Sequence, residues 1–257
     1  MNRCLQTLAP LVALLALTVG MSTGGADETA TQPIAPAQSD PPGDDGFVAL
    51  FDGKTLDGWH AVPPDSASDW SVEDGVIVGR GSADRLVYLV WKDEQLTDFE
   101  LRFRYRMRTK GNTGVEIRSQ PDPSGKRPFE GYHADLGHVG IGPQILGGWD
   151  FHFATREEYP CYRGTRLVID EQGRTTSETI PGALTADDVR PMQWNDVRVV
   201  ARGRHFWFYI NGKLASEFVD NAKEGRLDSG AIGLQLHDKG MRVEFDDVRL
   251  KRLTEAS

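Results

Sequence analysis

Residues 99–108 read FELRFRYRMR, and the pattern of this decapeptide decides the fold. Successive side chains of an extended chain point to opposite sides. Phe99, Leu101, Phe103, Tyr105 and Met107 therefore share one face, and Glu100, Arg102, Arg104, Arg106 and Arg108 share the other. Strict alternation over ten residues predicts a long strand with one face buried. The arginine row reads either as an anion-binding face or as a solvated outer face, and a solvated face is the commoner use of such a row.

The same period of two runs outward in both directions. WSVEDGVIVG (70–79) predicts a hairpin turning at Asp74-Gly75. WNDVRVVARGRHFWFYINGKLASEF (194–218) predicts a three-strand meander with turns at Arg202-Gly203 and Asn211-Gly212, a dipeptide that accepts the positive φ angles of a tight hairpin. AIGLQLH (231–237) and MRVEFDDVRLKRL (241–253) supply further strands, and the phase slip at Asp246-Asp247 predicts a bulge. No amphipathic helix is legible; at most one turn forms in LTADDVR (184–190), where Thr185 is placed to cap. Short strands with glycine-rich turns and no intervening helices predict an all-β fold, two antiparallel sheets packed as a sandwich or jelly roll. FDGKTLDGWH (51–60) predicts two turns that fold Phe51, Leu56 and Trp59 into a compact apolar clamp beside the first strand. Residues 138–165 break the pattern and read as a loop folded over one face or rim of the sandwich.

The start of the 257-residue chain has a different character. Arg3, the apolar run 8–20 and the small residues that follow read as a signal peptide over residues 1–26, so the mature protein is expected to be secreted or periplasmic. The run is shorter than the ~20 apolar residues that span a bilayer. Residues 27–46, rich in Pro, Ala, Ser, Gln and Asp, read as a disordered linker, 47–252 as the folded domain and 253–257 as a tail. Export leaves Cys161 as the one cysteine, so packing rather than disulfides must hold the fold. A net charge of −9 argues against nucleic acid and against anionic membrane as partners.

Seven segments occur in an order that identifies a family: GFVALFDGKTLDGWH (46–60), WSVEDGVIVGRG (70–81), DFELRFRYRM (98–107), NTGVEIRS (112–119), GYHADLG (131–137), QWNDVRVVARGRHFWFYINGK (193–213) and GAIGLQLHDKGMRVEFDDVRL (230–250). Together they resemble the 3-keto-disaccharide hydrolase family, concanavalin A-like jelly rolls of exported bacterial proteins. The resemblance implies a carbohydrate partner and cleavage of glycosides that carry a ketone at C3. A C3 carbonyl acidifies the C2 proton, so a base can remove it, the C1 substituent can leave by β-elimination, and water can add back. Such chemistry needs a base, a cation for the enolate oxygen and an acid for the leaving group. The rival reading is a non-catalytic carbohydrate-binding jelly-roll module.

The resemblance implies the site residues. In NTGVEIRS, Glu116 and Arg118 stand two apart, as for one strand face, with Arg118 matching the family's arginine and Asn112 opening the motif. GYHADLG puts His133 and Asp135 on one face, His133 standing where the family usually has glutamate or glutamine. LQLHD supplies Gln235 and His237. The resemblance implies His133 or Asp135 as base, Arg118 as oxyanion stabiliser, and Glu116, Gln235, His237 and Asn112 as substrate contacts, converging on one concave face. Trp149, with His138 and His152, is the candidate wall of a sugar subsite. Glu116, His133, Asp135 and His237 would also suit a divalent metal acting as Lewis acid.

Overall fold

The computed structural model describes residues 46–254 apart from 138–143, 155, 157, 158 and 160. The signal-peptide segment, nearly all of the linker, the last three tail residues and His138 lie outside the described residues. The first strands are β1 (Val48–Ala49), β2 (Trp59–Val62), β3 (Trp70–Glu73), β4 (Val76–Arg80), β5 (Val87–Leu96) and β6 (Phe99–Met107). Then come β7 (Thr113–Pro121), β8 (Phe129–Gly137), β9 (Trp149–His152), β10 (Thr165–Ile169) and β11 (Thr175–Thr179). The remainder are β12 (Asn195–Arg202), β13 (His205–Ile210), β14 (Lys213–Asp220), β15 (Gly230–Leu236) and β16 (Arg242–Arg252). The larger sheet runs β11-β10-β14-β13-β12-β6-β16-β4-β3, with β1 also on β16, and the smaller runs β2-β5-β15-β7-β8-β9. The expected jelly-roll sandwich is present; pairing is antiparallel except between β10 and β14.

The decapeptide that opened the reading is β6 almost to the residue. Phe99, Leu101, Phe103 and Tyr105 are buried, and the polar face pairs with its neighbours. Arg102 and Arg198 share Glu100, Arg104 meets Asp246, and Arg106 binds Glu244. This is an ion-pair face whose arginines reach solvent while Glu100 and Glu244 are buried beneath them. The Asn211-Gly212 turn has φ of 50° and 79°, and the register of β16 shifts between Asp246 and Arg249, as the phase slip predicted. Thr185 caps the short 3-10 turn Ala186–Asp188 through Asp188; a second 3-10 turn, Pro64–Asp69, was not legible. In the clamp, the Asp52 carboxylate accepts the N–H groups of Lys54 and Thr55, and the Trp59 indole donates to the Leu50 carbonyl at 2.8 Å.

The core lies between the sheets. Phe206, Phe208 and Phe218 from the larger sheet meet Tyr132, Trp149 and Phe151 from the smaller, with Trp149 edge-on to Phe218 at 5.0 Å. The stretch 138–165, read as irregular, contributes a strand. Trp149 and Phe151 of β9 point inward and His152 is only partly covered, so the same alternation that built β6 operates over four residues. Four residues are too few for the pattern to stand out.

Candidate active site

The inward residues of the smaller sheet fix what faces outward. Val115 and Ile117 on β7, Tyr132 and Ala134 on β8, and Ile232, Leu234 and Leu236 on β15 are core residues. Alternation then turns Gly114 and Glu116, His133 and Asp135, and Gly233 and Gln235 to the opposite face. The register aligns them: Gly233 lies beside Glu116, Glu116 beside His133, and His133 beside Asp150. Gly131 pairs with His152 and Gly114 with Asp135.

Glu116 is the hub. Its Oε2 lies 2.9 Å from His133 Nδ1 and 3.2 Å from His152 Nδ1, and the two imidazoles stack with centroids 5.1 Å apart. Glu116 is wholly buried and His133 is 1% exposed. Burial pushes the Glu116 carboxyl up, but the charge on His152 and the hydrogen bonds from both histidines outweigh it and hold the group at about 2. Burial pushes His152 down; the Glu116 charge overcomes this and raises it above the ordinary histidine value. With Nδ1 of His133 committed to Glu116, its Nε2 is left without a bond and lies 3.8 Å from Asp135 Oδ1.

Asp135 is displaced far from its ordinary state. Burial, the neighbouring Asp150 carboxyl and the Glu116 charge all push its pKa far up. Asp135 therefore keeps its proton on this face, where a second bare carboxylate beside Asp150 and Glu116 would be repelled. Glu116 Oε1, His133 Nε2, both Asp135 oxygens and Gln235 Oε1 are buried with no hydrogen-bond partner among the described residues. Gln235 donates to the Tyr88 hydroxyl at 3.3 Å. A fold that leaves this many polar atoms unsatisfied on one face carries a cost of desolvation that a ligand can relieve.

Two glycines make the packing of this cluster possible. A Cβ on Gly114 would stand 2.2 Å from His133 Nε2, and one on Gly131 would stand 2.5 Å from Glu116 Oε1. The His133 ring and the Glu116 carboxyl thus lie directly over bare backbone.

The structure corrects several expected positions. Arg118 does not join Glu116. A bulge in β7, with Arg118 at φ 48°, breaks the alternation and sends the side chain inward over Phe206, 4.8 Å from the ring. There it donates to the carbonyls of Thr97, Gly203 and Leu227. Trp149 is no sugar platform, because its place on β9 buries the indole against Phe208 and Phe218. The expected metal set changes too. Ligand atoms of Glu116, His133 and His152 lie within 4.8 Å of one another, a mixed N/O set suited to a divalent cation. Asp135 faces Asp150 instead. His237, just past β15, is half-exposed and bound to Asp238 at 2.7 Å. Asn112 joins that second group, its N–H donating to Asp238 Oδ2 at 2.6 Å. Asp150 was missed altogether, and His152 was read only as a subsite wall; the short alternation of WDFH was their one signal.

A hollow of about 240 Å³ on the larger sheet is lined by Glu73, Arg106, Trp194, Arg242 and Glu244 among others. Its glutamates are already engaged by arginines, Glu73 by Arg80 and Glu244 by Arg106, so it offers no poised acid or base.

Residues 46–251 match the model of the 3-keto-alpha-glucoside-1,2-lyase-like domain. A 3-keto-disaccharide hydrolase of Bacteroides thetaiotaomicron is 32% identical over 246 residues, 81% of this chain and 79% of that protein. Among solved structures, a candidate glycosyl hydrolase of Parabacteroides distasonis aligns with a TM-score of 0.55 at 20% identity, over 81% of this chain and 95% of that one. A galectin-like protein of unknown function from Bacillus subtilis aligns at 0.52 and 12% identity, over 78% and 92%. At these identities the two structures bear on the fold alone. Family model, relative and strand-by-strand motifs agree that the chain belongs to the family of 3-keto-alpha-glucoside-1,2-lyase-like domains.

Proposed function

We propose that this protein is an exported carbohydrate-active enzyme that cleaves 3-keto-glycosides by C2 proton abstraction, elimination and hydration. The observation that carries the reading is the buried polar cluster of Glu116, His133, Asp135 and Gln235 on one face of the smaller sheet, each residue keeping a polar atom without a partner among the described residues. Family membership supplies the reaction class, and the apolar segment 8–20 is the ground for export.

Glu116 accepts the Nδ1 proton of His133 and so leaves the lone pair on Nε2, the arrangement of a base held by a carboxylate. His133 takes the C2 proton, and the C–H electron pair becomes the C2=C3 bond of an enolate. As the ketone reforms, the C1–O bond breaks with its pair, and the departing oxygen takes the proton held on Asp135. Water then adds its hydroxyl at C1 and gives its other proton back to Asp135, while His133 returns the proton to C2, giving net hydrolysis. Gln235 is placed to hold a sugar hydroxyl. Where a divalent cation binds, Glu116, His133 and His152 would hold it, and it would supply Lewis acidity toward the ketone.

A 3-keto-glucoside with a chromogenic leaving group tests this directly, with and without chelator. Turnover is expected in the wild type and its loss in a folded His133→Ala/Asp135→Ala double variant. Binding of unoxidised glycans with no turnover of any keto-sugar would establish a binding module instead. A second probe, applied to protein shown to be folded, is Gly114→Ala, whose methyl would meet both the His133 ring and the Ala134 carbonyl and push the ring off its seat. Displacement of a catalytic group by an ångström costs about 100-fold, so kcat is expected to fall by that order with KM little changed. A fully active Gly114→Ala would remove His133 from the base role.

A further inference from the structure

The proposed chemistry needs a cation where the C3 oxygen gathers charge, and Arg118 is turned into the sandwich instead. The outward face has another source. Between β7 and β8 the chain runs DPSGKRP, residues 122–128. Asp122 organises this tip, accepting the N–H of Ser124 at 2.7 Å and that of Arg127 at 2.9 Å. Just beyond it Phe129 packs edge-on against Tyr88, centroids 5.4 Å apart. Tyr88, Val90, Phe129 and Ala231 form an apolar cluster of their own, separate from the main core. Satellite clusters of this kind form beneath long connections and anchor them.

Tyr88 belongs to β5, and in sheet order β15 and β7 stand between β5 and β8. The β7–β8 hairpin therefore curls over the outward face rather than projecting from its edge. Arg127, two residues before Phe129 and half-buried, is in the part that curls. The Phe129–Tyr88 contact spans β15 and β7, so the curl carries Arg127 toward the strands that hold Gln235, Glu116 and His133. In a half-buried setting a guanidinium is screened less than in open water and presents a fork of donors.

We propose that Arg127 is the catalytic cation of this site, binding the C3 oxygen while it carries the enolate charge. The assignment rests on the 3-keto-glycoside reading. As His133 takes the C2 proton, the charge that develops on the C3 oxygen is met by the guanidinium N–H groups. When the C1–O bond breaks and the ketone reforms, that charge passes to the leaving oxygen and the contact weakens.

Deuterium uptake at C2 of a 3-keto-glucoside in heavy water reads enolate formation alone. Arg127→Met is expected to slow exchange about 100- to 1,000-fold while KM moves little, the signature of an oxyanion donor. Arg127→Lys, which keeps the charge and loses the fork, is expected to recover about tenfold of that loss. Exchange at the wild-type rate in Arg127→Met overturns the assignment. So does a rise in KM that accounts for the whole effect, since Arg127 would then be a ground-state contact.

If the wild type exchanges no C2 proton from any 3-keto-glycoside, the reaction reading fails, and binding decides the placement separately. Glucuronate is expected to bind the wild type about tenfold tighter than Arg127→Met, with glucose affinity unchanged between them. Equal glucuronate affinities would put Arg127 away from the face.

Discussion

Arg118→Met is expected to lower the unfolding free energy by about 3–5 kcal/mol, because it breaks a buried charged network from one side. For a domain of this size the thermal midpoint should fall by roughly 6–20 °C. The guanidinium is 1% exposed and donates to Thr97 O from two nitrogens, at 3.0 and 2.8 Å, to Gly203 O at 2.8 Å and to Asp98 Oδ1 at 3.2 Å. These acceptors lie in the β5–β6 turn and the β12–β13 turn, and Leu227 adds the approach to β15. One side chain of the smaller sheet thus ties down the β5–β6 turn that joins the two sheets and a hairpin turn of the larger sheet. Methionine fills similar space but leaves the carbonyls unpaired, and each buried unpaired acceptor costs about 1–3 kcal/mol. The opposing strand is built around the bulge: a Cβ on Gly230 would stand 2.2 Å from the Arg118 carbonyl carbon. Arg118→Lys should recover only part of the loss, since an ammonium cannot serve these acceptors from one plane. Urea unfolding of the three proteins checks this. Wild-type stability in Arg118→Met together with lost turnover would return Arg118 to the chemistry.

Arg118 also shows where the sequence stops being legible. Strand existence followed from alternation, and the inward and outward sets of β6, β8 and β15 followed with it. Alternation set His133 and Asp135 on one strand face, while the convergence of Glu116, His133, Asp135 and Gln235 came from the family resemblance and holds because the period of two runs on each strand up to those residues. The rule fails one residue past Ile117, where a left-handed φ inserts an extra residue, and no feature of NTGVEIRS marks that spot. A bulge is set by what the neighbouring strand and turns require, which is non-local information. The same limit hid Asp150 and His152. Strand β9 is an edge strand of four residues inside a glycine-rich segment, and its register against β8 is what brings His152 to Glu116. The metal-ligand set was misjudged for the same reason, with His237 chosen for its motif and His152 available only through pairing.

Glu116→Gln is expected to reduce kcat by about 1,000-fold or more, by analogy with carboxylate-to-amide changes behind a catalytic histidine. The amide keeps the size of the side chain but loses the negative charge, and its rotation puts an N–H donor where both imidazoles now meet Oε2. His133 can then adopt the tautomer with its proton on Nε2, which cannot act as base. The variant also carries a signature in stability that a merely damaged site would lack. Glu116 is held at about 2 against an ordinary 4.5, so its contribution is present above pH 4.5 and is lost as pH falls toward 2. His152 is raised above 6.5, so its contribution is complete below pH 6.5 and is lost as pH rises through the raised value. The pair therefore stabilises the wild type most between about pH 4.5 and 6.5. Urea midpoints measured across pH in chelator should show that maximum in the wild type and a flatter profile in Glu116→Gln. A uniform drop at every pH would mean that the two charges do not support each other, and His133 would lose the partner that directs its lone pair. Loss of turnover with the wild-type pH profile intact would instead make Glu116 a substrate contact, leaving the orientation of His133 to the Gly114 seat alone.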